Sequence, residues 1–163
     1  MTEDDLSALK ATRGGAAWRS GDHPVWRRYL DEQRNGVREP MVAMVGDALV
    51  GYVSLLWRSH YPPFADAGIP EISDLVVAEA HRRQGLAERM IGECEARARA
   101  EGHAVLGIGF GVYADYGAAQ RLYVRLGYVP DGRGMTYDET PVTPGATYPV
   151  DDNMVLWLTK RIR

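Results

Sequence analysis

The chain has 163 residues, 45% of them apolar and 25% charged, which suits one ordinary globular domain with a real core. Its net charge of −3 argues against a dedicated nucleic-acid binder, and no apolar run nears the ~20 residues of a membrane span. One cysteine excludes an internal disulfide, and the acidic start MTEDDLSALK is unlike a secretory signal; both fit a reducing cytoplasm.

Residues 3–12 read as a short helix and Asp22 to Gln33 as a second. Asp22 stands at a cap position, Pro24 suits a first turn, and Val25, Trp26, Tyr29 and Leu30 follow helical spacing. Met41 to Val45 and Ala48 to Trp57 read as strands joined by a tight turn at Gly46-Asp47. Arg58 to Pro70 reads as a loop, because Pro62-Pro63 and Gly68-Ile69-Pro70 interrupt regular structure.

Glu71 to Val77 reads as a strand, carried by Ile72, Leu75, Val76 and Val77. A basic turn leads from it into a long helix. Ala87, Met90, Ile91, Cys94 and Ala98 share one face of that helix. Glu93 with Arg97, and Glu95 with Arg99, stand four apart with the acid first, and Gly102 supplies a stop. Cys94, on the apolar face, reads as a small buried residue and not as a nucleophile. His103 to Gly111 is a buried strand. Asp115 to Leu126 is a helix with Asp115 at its cap. A strand begins at Tyr128-Val129, and residues 130–134 form a turn-rich loop. Residues 138–150, with three prolines and Gly145, read as a loop or meander, and Asn153 to Lys160 is a last strand. Strands alternating with helices mid-chain and hairpins at both ends give a mixed α/β fold. There is no internal repeat and no linker, so residues 1–163 are expected to form a single domain.

The basic turn, Arg82-Arg83-Gln84-Gly85-Leu86-Ala87, carries the chemistry. The first N–H groups of a helix lack partners within it, and the helix dipole adds partial positive charge there. Gly85 lets a ligand approach the backbone, and two arginines add full charges, which suits a phosphate group. The turn is neither a P-loop nor a G-x-G-x-x-G fingerprint.

In this context, after a strand and opening a helix, Arg82, Gly85 and Ala87 match the Arg/Gln-x-x-Gly-x-Gly/Ala pattern. A second signature follows in order: Ala118-Ala119-Gln120-Arg121-Leu122-Tyr123, then Gly127-Tyr128. Together, across residues 40–130, they resemble the acetyl-CoA-binding core of the GNAT superfamily of N-acetyltransferases. The resemblance implies a mixed, mostly antiparallel central sheet flanked by helices, with two strands splayed to admit the pantetheine arm. It implies acetyl-CoA as acyl donor and a small-molecule or peptide amine as acceptor; charge and hydropathy, as above, argue against a nucleic-acid or membrane partner. Dimerisation is common in that superfamily, and no motif here demonstrates it. Members usually open with a strand; none is legible here, which leaves the sheet edge open.

The same resemblance assigns roles. Residues Arg82, Arg83, Gln84, Gly85, Leu86 and Ala87 would hold the pyrophosphate. The backbone N–H of Val76 or Val77 would meet the thioester carbonyl as its oxygen gains charge. A lysine-like amine has a pKa near 10.4, so neutralising it at pH 7 costs roughly 4–5 kcal/mol; a base is needed, and a carboxylate can help directly or through water. Glu71, at the start of the central strand, takes that role, with Asp74 as the alternative. In a regular strand the two point to opposite faces, and a bulge would change which one serves. Tyr123 matches the tyrosine that protonates the departing thiolate; the competing reading packs it against the cofactor. Tyr116 stands where the superfamily often has asparagine, three residues before Ala119, so Asp115 is expected to replace that polar contact. Trp26, Tyr29, Trp57, Tyr61 and Phe64 read either as walls of an acceptor site or as packing aromatics. Two functions stay open: an acetyl-CoA-dependent N-acetyltransferase, and an idle acyl-CoA-binding sensor or interaction domain.

Overall fold

A hairpin holds the first half of the chain together. The computed structural model describes residues 1–15 and 17–163. Strands β1 (Arg38–Val45) and β2 (Ala48–Leu56) pair antiparallel, with Val45 opposite Ala48 across the turn and a register shift between Ala43 and Met44. Gly46 takes φ +58 in that two-residue turn, a conformation that glycine adopts without strain. Every β2 residue after Ala48 is buried, as expected of an interior strand covered on both faces.

Two helices cover this hairpin. Helix α1 (Glu3–Ala11) opens with a capping box between Thr2 and Asp5, and Leu9 fixes it to the core. Helix α2 (Val25–Arg34) buries Trp26, Tyr29 and Leu30. Asp22 does not cap it: the helix begins at Val25 with Pro24 at the N-cap, and the Val25 N–H donates to His23 Nδ1 at 3.2 Å. Leu9, Trp26, Tyr29, Leu49 and Tyr52 form one cluster, with the Trp26 ring edge-on to Tyr29 and Tyr52 at 5.6 and 5.1 Å. Each such aromatic, fully buried, contributes about 1.5–3 kcal/mol. Among the described residues no strand precedes β1.

The chain divides into two compact units: Met1–Trp57 with Ile72–Arg97, and Arg58–Glu71 with Ala98–Arg163. In the first, the strands run in the order β1, β2, β3, where β3 spans Glu71–Val77. Helix α4 (Leu86–Ala100) buries Met90, Ile91, Cys94 and Ala98 of the face expected from their spacing, and Ala87 on that face is half-buried. Burial pushes the Cys94 thiol up to about 12, which leaves it inert. Arg97 pairs with Glu93 at 2.8 Å and also with Glu39, while Arg99 Nε donates to the Arg163 carbonyl. Gly102 ends the helix at φ +85, and the His103 N–H returns to the Ala98 carbonyl at 2.9 Å.

In the second unit the strand order is β4 (Val105–Gly111), β7 (Met154–Arg161), β5 (Val129–Tyr137) and β6 (Thr140–Pro141), each pair antiparallel. The chain is thus a mixed α/β protein with mostly antiparallel strands flanked by helices. The alternating glycines of β4 make room for aromatics. A Cβ at Gly107 would lie 2.2 Å from the Phe64 ring, and one at Gly109 would lie 2.8 Å from Trp157.

Three local expectations change. Pro62–Ala67 forms a short helix, α3, where a loop was expected, because proline is compatible with a first helical turn and Gly68 closes it at φ +62. The turn-rich residues 130–134 lie inside β5, whose ladder to β7 shifts register between Pro130 and Met135; Gly132 and Gly134 take φ +84 and +80 there. Helix α5 (Gly117–Arg125) follows a 3-10 turn over Ala114–Tyr116, and its N-cap is Tyr116 without a side-chain bond, so Asp115 is not the cap.

Candidate active site

The first unit presents a strand end, a turn and a helix mouth in direct connection. Gly51 explains how they come close: a Cβ there would lie 3.0 Å from the Val76 carbonyl oxygen and 3.1 Å from the Met90 side chain. The Ala78 N–H donates to the Val50 carbonyl at 2.8 Å and fixes the end of β3 against β2. A 3-10 turn over Glu79–His81 follows, so His81 is a turn residue. Arg82 then folds back, its Nε donating to the Val77 carbonyl at 3.1 Å. Gln84 Nε2 donates to the Ala80 carbonyl at 3.3 Å. Both bonds tie the turn to the backbone that it leaves.

Arg83 and Gly85 both take left-handed backbone, φ +61 and +79. That geometry turns successive N–H groups into a concave nest suited to an anion. The ladder of α4 starts with the Arg89 N–H on the Gly85 carbonyl at 3.0 Å, so Leu86, Ala87 and Glu88 lie ahead of it. Residues Arg82 to Gly85 are exposed, and Leu86 and Ala87 are half-buried. A Cβ on Gly85 would meet nothing within 4 Å. Protein packing therefore does not require glycine here; the backbone angle does, and the space above it is open. These features fit a diphosphate.

Asp74 lies further back on β3 at φ +54, which interrupts the regular alternation of the strand. It accepts from the Tyr29 hydroxyl at 2.5 Å, from Arg19 at 2.7 Å and from Arg38 at 3.0 Å. Arg38 also reaches Glu32 at 2.6 Å and lies over the Tyr29 ring at 3.8 Å. Burial alone would raise the Asp74 carboxyl; the Tyr29 bond and the two arginines outweigh it and hold the group below the usual carboxylate value. A carboxylate so tied is poorly suited to take a proton. Sequence reading missed Arg19, Glu32 and Arg38, which lie far from Asp74 along the chain and follow no motif.

The second unit holds Glu71 and Tyr123. Glu71 is 7% exposed, and the Ser59 hydroxyl donates to its Oε2 at 2.5 Å. Tyr123, on α5, is 6% exposed and lies against Phe110 and Tyr128 with ring centroids at 6.2 and 6.4 Å. Burial pushes its phenol up to about 12, so it keeps its proton well above neutral pH. Tyr116 packs its ring on Gly111 and donates to Asp152 at 2.9 Å; Asp115 is exposed, and Ala119 is half-buried on the same helix.

The aromatics of the expected acceptor wall divide. Trp26, Tyr29, Tyr61 and Phe64 are buried, held by ring contacts within their own units; Trp57 is half-buried. Tyr61 stacks on Trp157 at 4.3 Å with rings 2° from parallel, and its hydroxyl donates to Asp131 at 2.9 Å. All four are interior packing side chains in this structure.

The family model for the acetyltransferase (GNAT) family matches residues 5–128. The chain belongs to the acetyltransferase (GNAT) family. As a GNAT member it is an acyltransferase, and solved GNAT structures share its fold. A ribosomal-protein-alanine N-acetyltransferase from Brucella melitensis is 21% identical, with a TM-score of 0.68 over 99% of this chain and 96% of that one. A protein from Salmonella typhimurium, solved with its cofactor acetyl-CoA, is 18% identical, with a TM-score of 0.67 over 100% and 91%. An aminoglycoside 6′-N-acetyltransferase complexed with coenzyme A is 19% identical, with a TM-score of 0.63 over 99% and 91%. Comparison with curated proteins returns no match.

Proposed function

We propose that this chain transfers the acetyl group of acetyl-CoA to an amine nitrogen by direct attack in a ternary complex. The observation that carries the reading is the helix mouth: an open Gly85 at φ +79 beside the start of the α4 ladder, and Arg82 tied to the Val77 carbonyl. The N–H groups and arginines of residues 82–87 bind the diphosphate. The N–H of Val76 or Val77 donates to the thioester oxygen as charge builds there.

Glu71 takes the proton of the attacking amine, directly or through water, while the nitrogen bonds to the carbonyl carbon. The carbon–sulfur bond breaks, and Tyr123 gives its proton to the leaving thiolate. Burial of Glu71 supports its role as base, and the bonds to Asp74 from Tyr29, Arg19 and Arg38 favour Glu71 over it. The raised Tyr123 phenol supports a donor that is still protonated when needed. Asp115, Tyr116 and Ala119 are read as further contacts to the coenzyme, and half-exposed Trp57 as a contact to the acceptor. The matched residues 5–128 include parts of both units, which supports residues 1–163 acting as one acetyltransferase domain. A buried, unreactive Cys94 accords with a cytoplasmic setting.

The similar structures include one named for ribosomal-protein alanine and one for aminoglycosides, so the shared chemistry is an amine and not one acceptor. The test is release of free CoA from acetyl-CoA in the presence of a panel of amines. Steady release with at least one amine is the expected result; binding of acetyl-CoA without release for any amine would favour the idle binding module. With the active amine, Glu71→Gln is expected to lower turnover about 100-fold while acetyl-CoA affinity stays within about twofold. Unchanged turnover in that variant removes Glu71 from the role.

A further inference from the structure

The Glu71 carboxylate is held by a short relay that no motif announces. Ser59 is 4% exposed and Glu71 is 7% exposed. The Tyr61 N–H donates to Ser59 Oγ at 3.0 Å, and Ser59 Oγ donates to Glu71 Oε2 at 2.5 Å. A serine hydroxyl has one proton and two lone pairs. With the amide of Tyr61 on a lone pair, the single proton is directed at the carboxylate. The relay therefore has one orientation.

Its far end is anchored. The Tyr61 ring stacks on Trp157 and meets Phe64 edge-on at 4.9 Å, and its hydroxyl is bonded to Asp131. Its near end is anchored too: the Gly107 N–H donates to the carbonyl of Pro70, the residue before Glu71, at 2.8 Å. Backbone on one side and a fixed hydroxyl on the other leave the carboxylate little freedom.

We propose that Ser59 is a positioning residue for the transfer reaction, fixing the direction of the Glu71 carboxylate through the Tyr61 amide. This rests on Glu71 being the base. Ser59 is buried and spends its one proton on Glu71, so its loss acts on turnover and not on coenzyme binding. Tyr61 and Trp157 are then the frame that keeps the relay in place.

The experiment is steady-state CoA release by the full chain with an active amine, for wild type, Ser59→Ala, Ser59→Thr, Glu71→Gln and the double variant Ser59→Ala/Glu71→Gln. Ser59→Ala is expected to lower kcat about tenfold with KM for acetyl-CoA within about twofold, and Ser59→Thr to restore most of kcat. In the Glu71→Gln background Ser59→Ala is expected to add less than about a twofold loss, because it acts through the carboxylate already removed. If Ser59→Ala fails to fold, Ser59→Cys, which fills the same space with a weaker donor, takes its place in the same comparison. Wild-type kcat in Ser59→Ala (or in Ser59→Cys where that stands in for it), or losses that multiply in the double variant, overturns the proposal. Slow Glu71→Gln beside normal Ser59→Ala sinks the relay alone; normal Glu71→Gln sinks the assignment of the base.

Discussion

Asp74 illustrates how much one side chain can hold. Its carboxylate neutralises Arg38, which is 3% exposed, and Arg19, while Tyr29 donates a third bond. Removing its charge leaves buried Arg38 with Glu32 as its remaining carboxylate and Arg19 without one, a loss at the lower end of the roughly 3–5 kcal/mol of a broken buried pair. Asp74→Asn keeps the shape and tolerates φ +54, so it isolates the charge. We expect it to lower unfolding free energy by about 3 kcal/mol at pH 7, read from urea denaturation. The sign with pH follows from a carboxyl held low in the fold: its contribution is present above the unfolded value near 3.9 and is lost as pH falls through the folded value. The gap between wild type and Asp74→Asn should therefore close in acid; a constant gap down to pH 2 would mean that the charge is not the cause. None of this was legible in the sequence, which placed Asp74 beside Glu71 as an alternative base. Spacing along a strand says which face a residue takes only while the strand stays regular, and φ +54 breaks that condition.

At the scale of elements, the parts with strong local signals were read correctly. Helix α4 announced itself through Met90, Ile91, Cys94 and Ala98 and its Gly102 stop, and the β1–β2 hairpin through Gly46-Asp47 between apolar runs. Proline and glycine clusters misled at α3 and β5, where a first-turn proline and a bulged ladder absorb residues that usually break structure. The glycines of β4 were legible as a strand but not as seats for Phe64 and Trp157, since those partners come from elsewhere in the chain. The turn before α4 allows a clean test of local conformation against ligand contact. Gly85→Ala should cost about 1 kcal/mol of stability from its left-handed backbone, since a Cβ there meets nothing. Gly85→Glu should destabilise about as much, yet weaken acetyl-CoA binding at least tenfold, because an anion then stands where the proposed reading puts phosphate charge. Equal affinities for acetyl-CoA in Gly85→Glu and wild type, measured by calorimetry, would remove the turn from coenzyme binding.

For the molecule as a whole, length, composition and two ordered motifs were enough to place the chain in its family, and the match over residues 5–128 agrees. The proposed site is legible where its chemistry is contiguous, at Arg82 to Ala87. It is illegible where residues distant in sequence meet, as at Ser59 with Glu71, twelve positions apart, or Arg38 with Asp74, thirty-six apart. Each of the two units keeps its own buried cluster, Trp26 with Tyr52 in one and Tyr61 with Trp157 in the other, so the polar groups in each rest on packed aromatics. The claim on which the catalytic reading depends is that the start of α4 grips the coenzyme's diphosphate. Amide NMR of the full chain during an acetyl-CoA titration tests it most directly. The largest shifts should fall on the N–H groups of Arg83 to Glu88, saturating with the rest of the binding signal; binding that leaves those amides unmoved would contradict it.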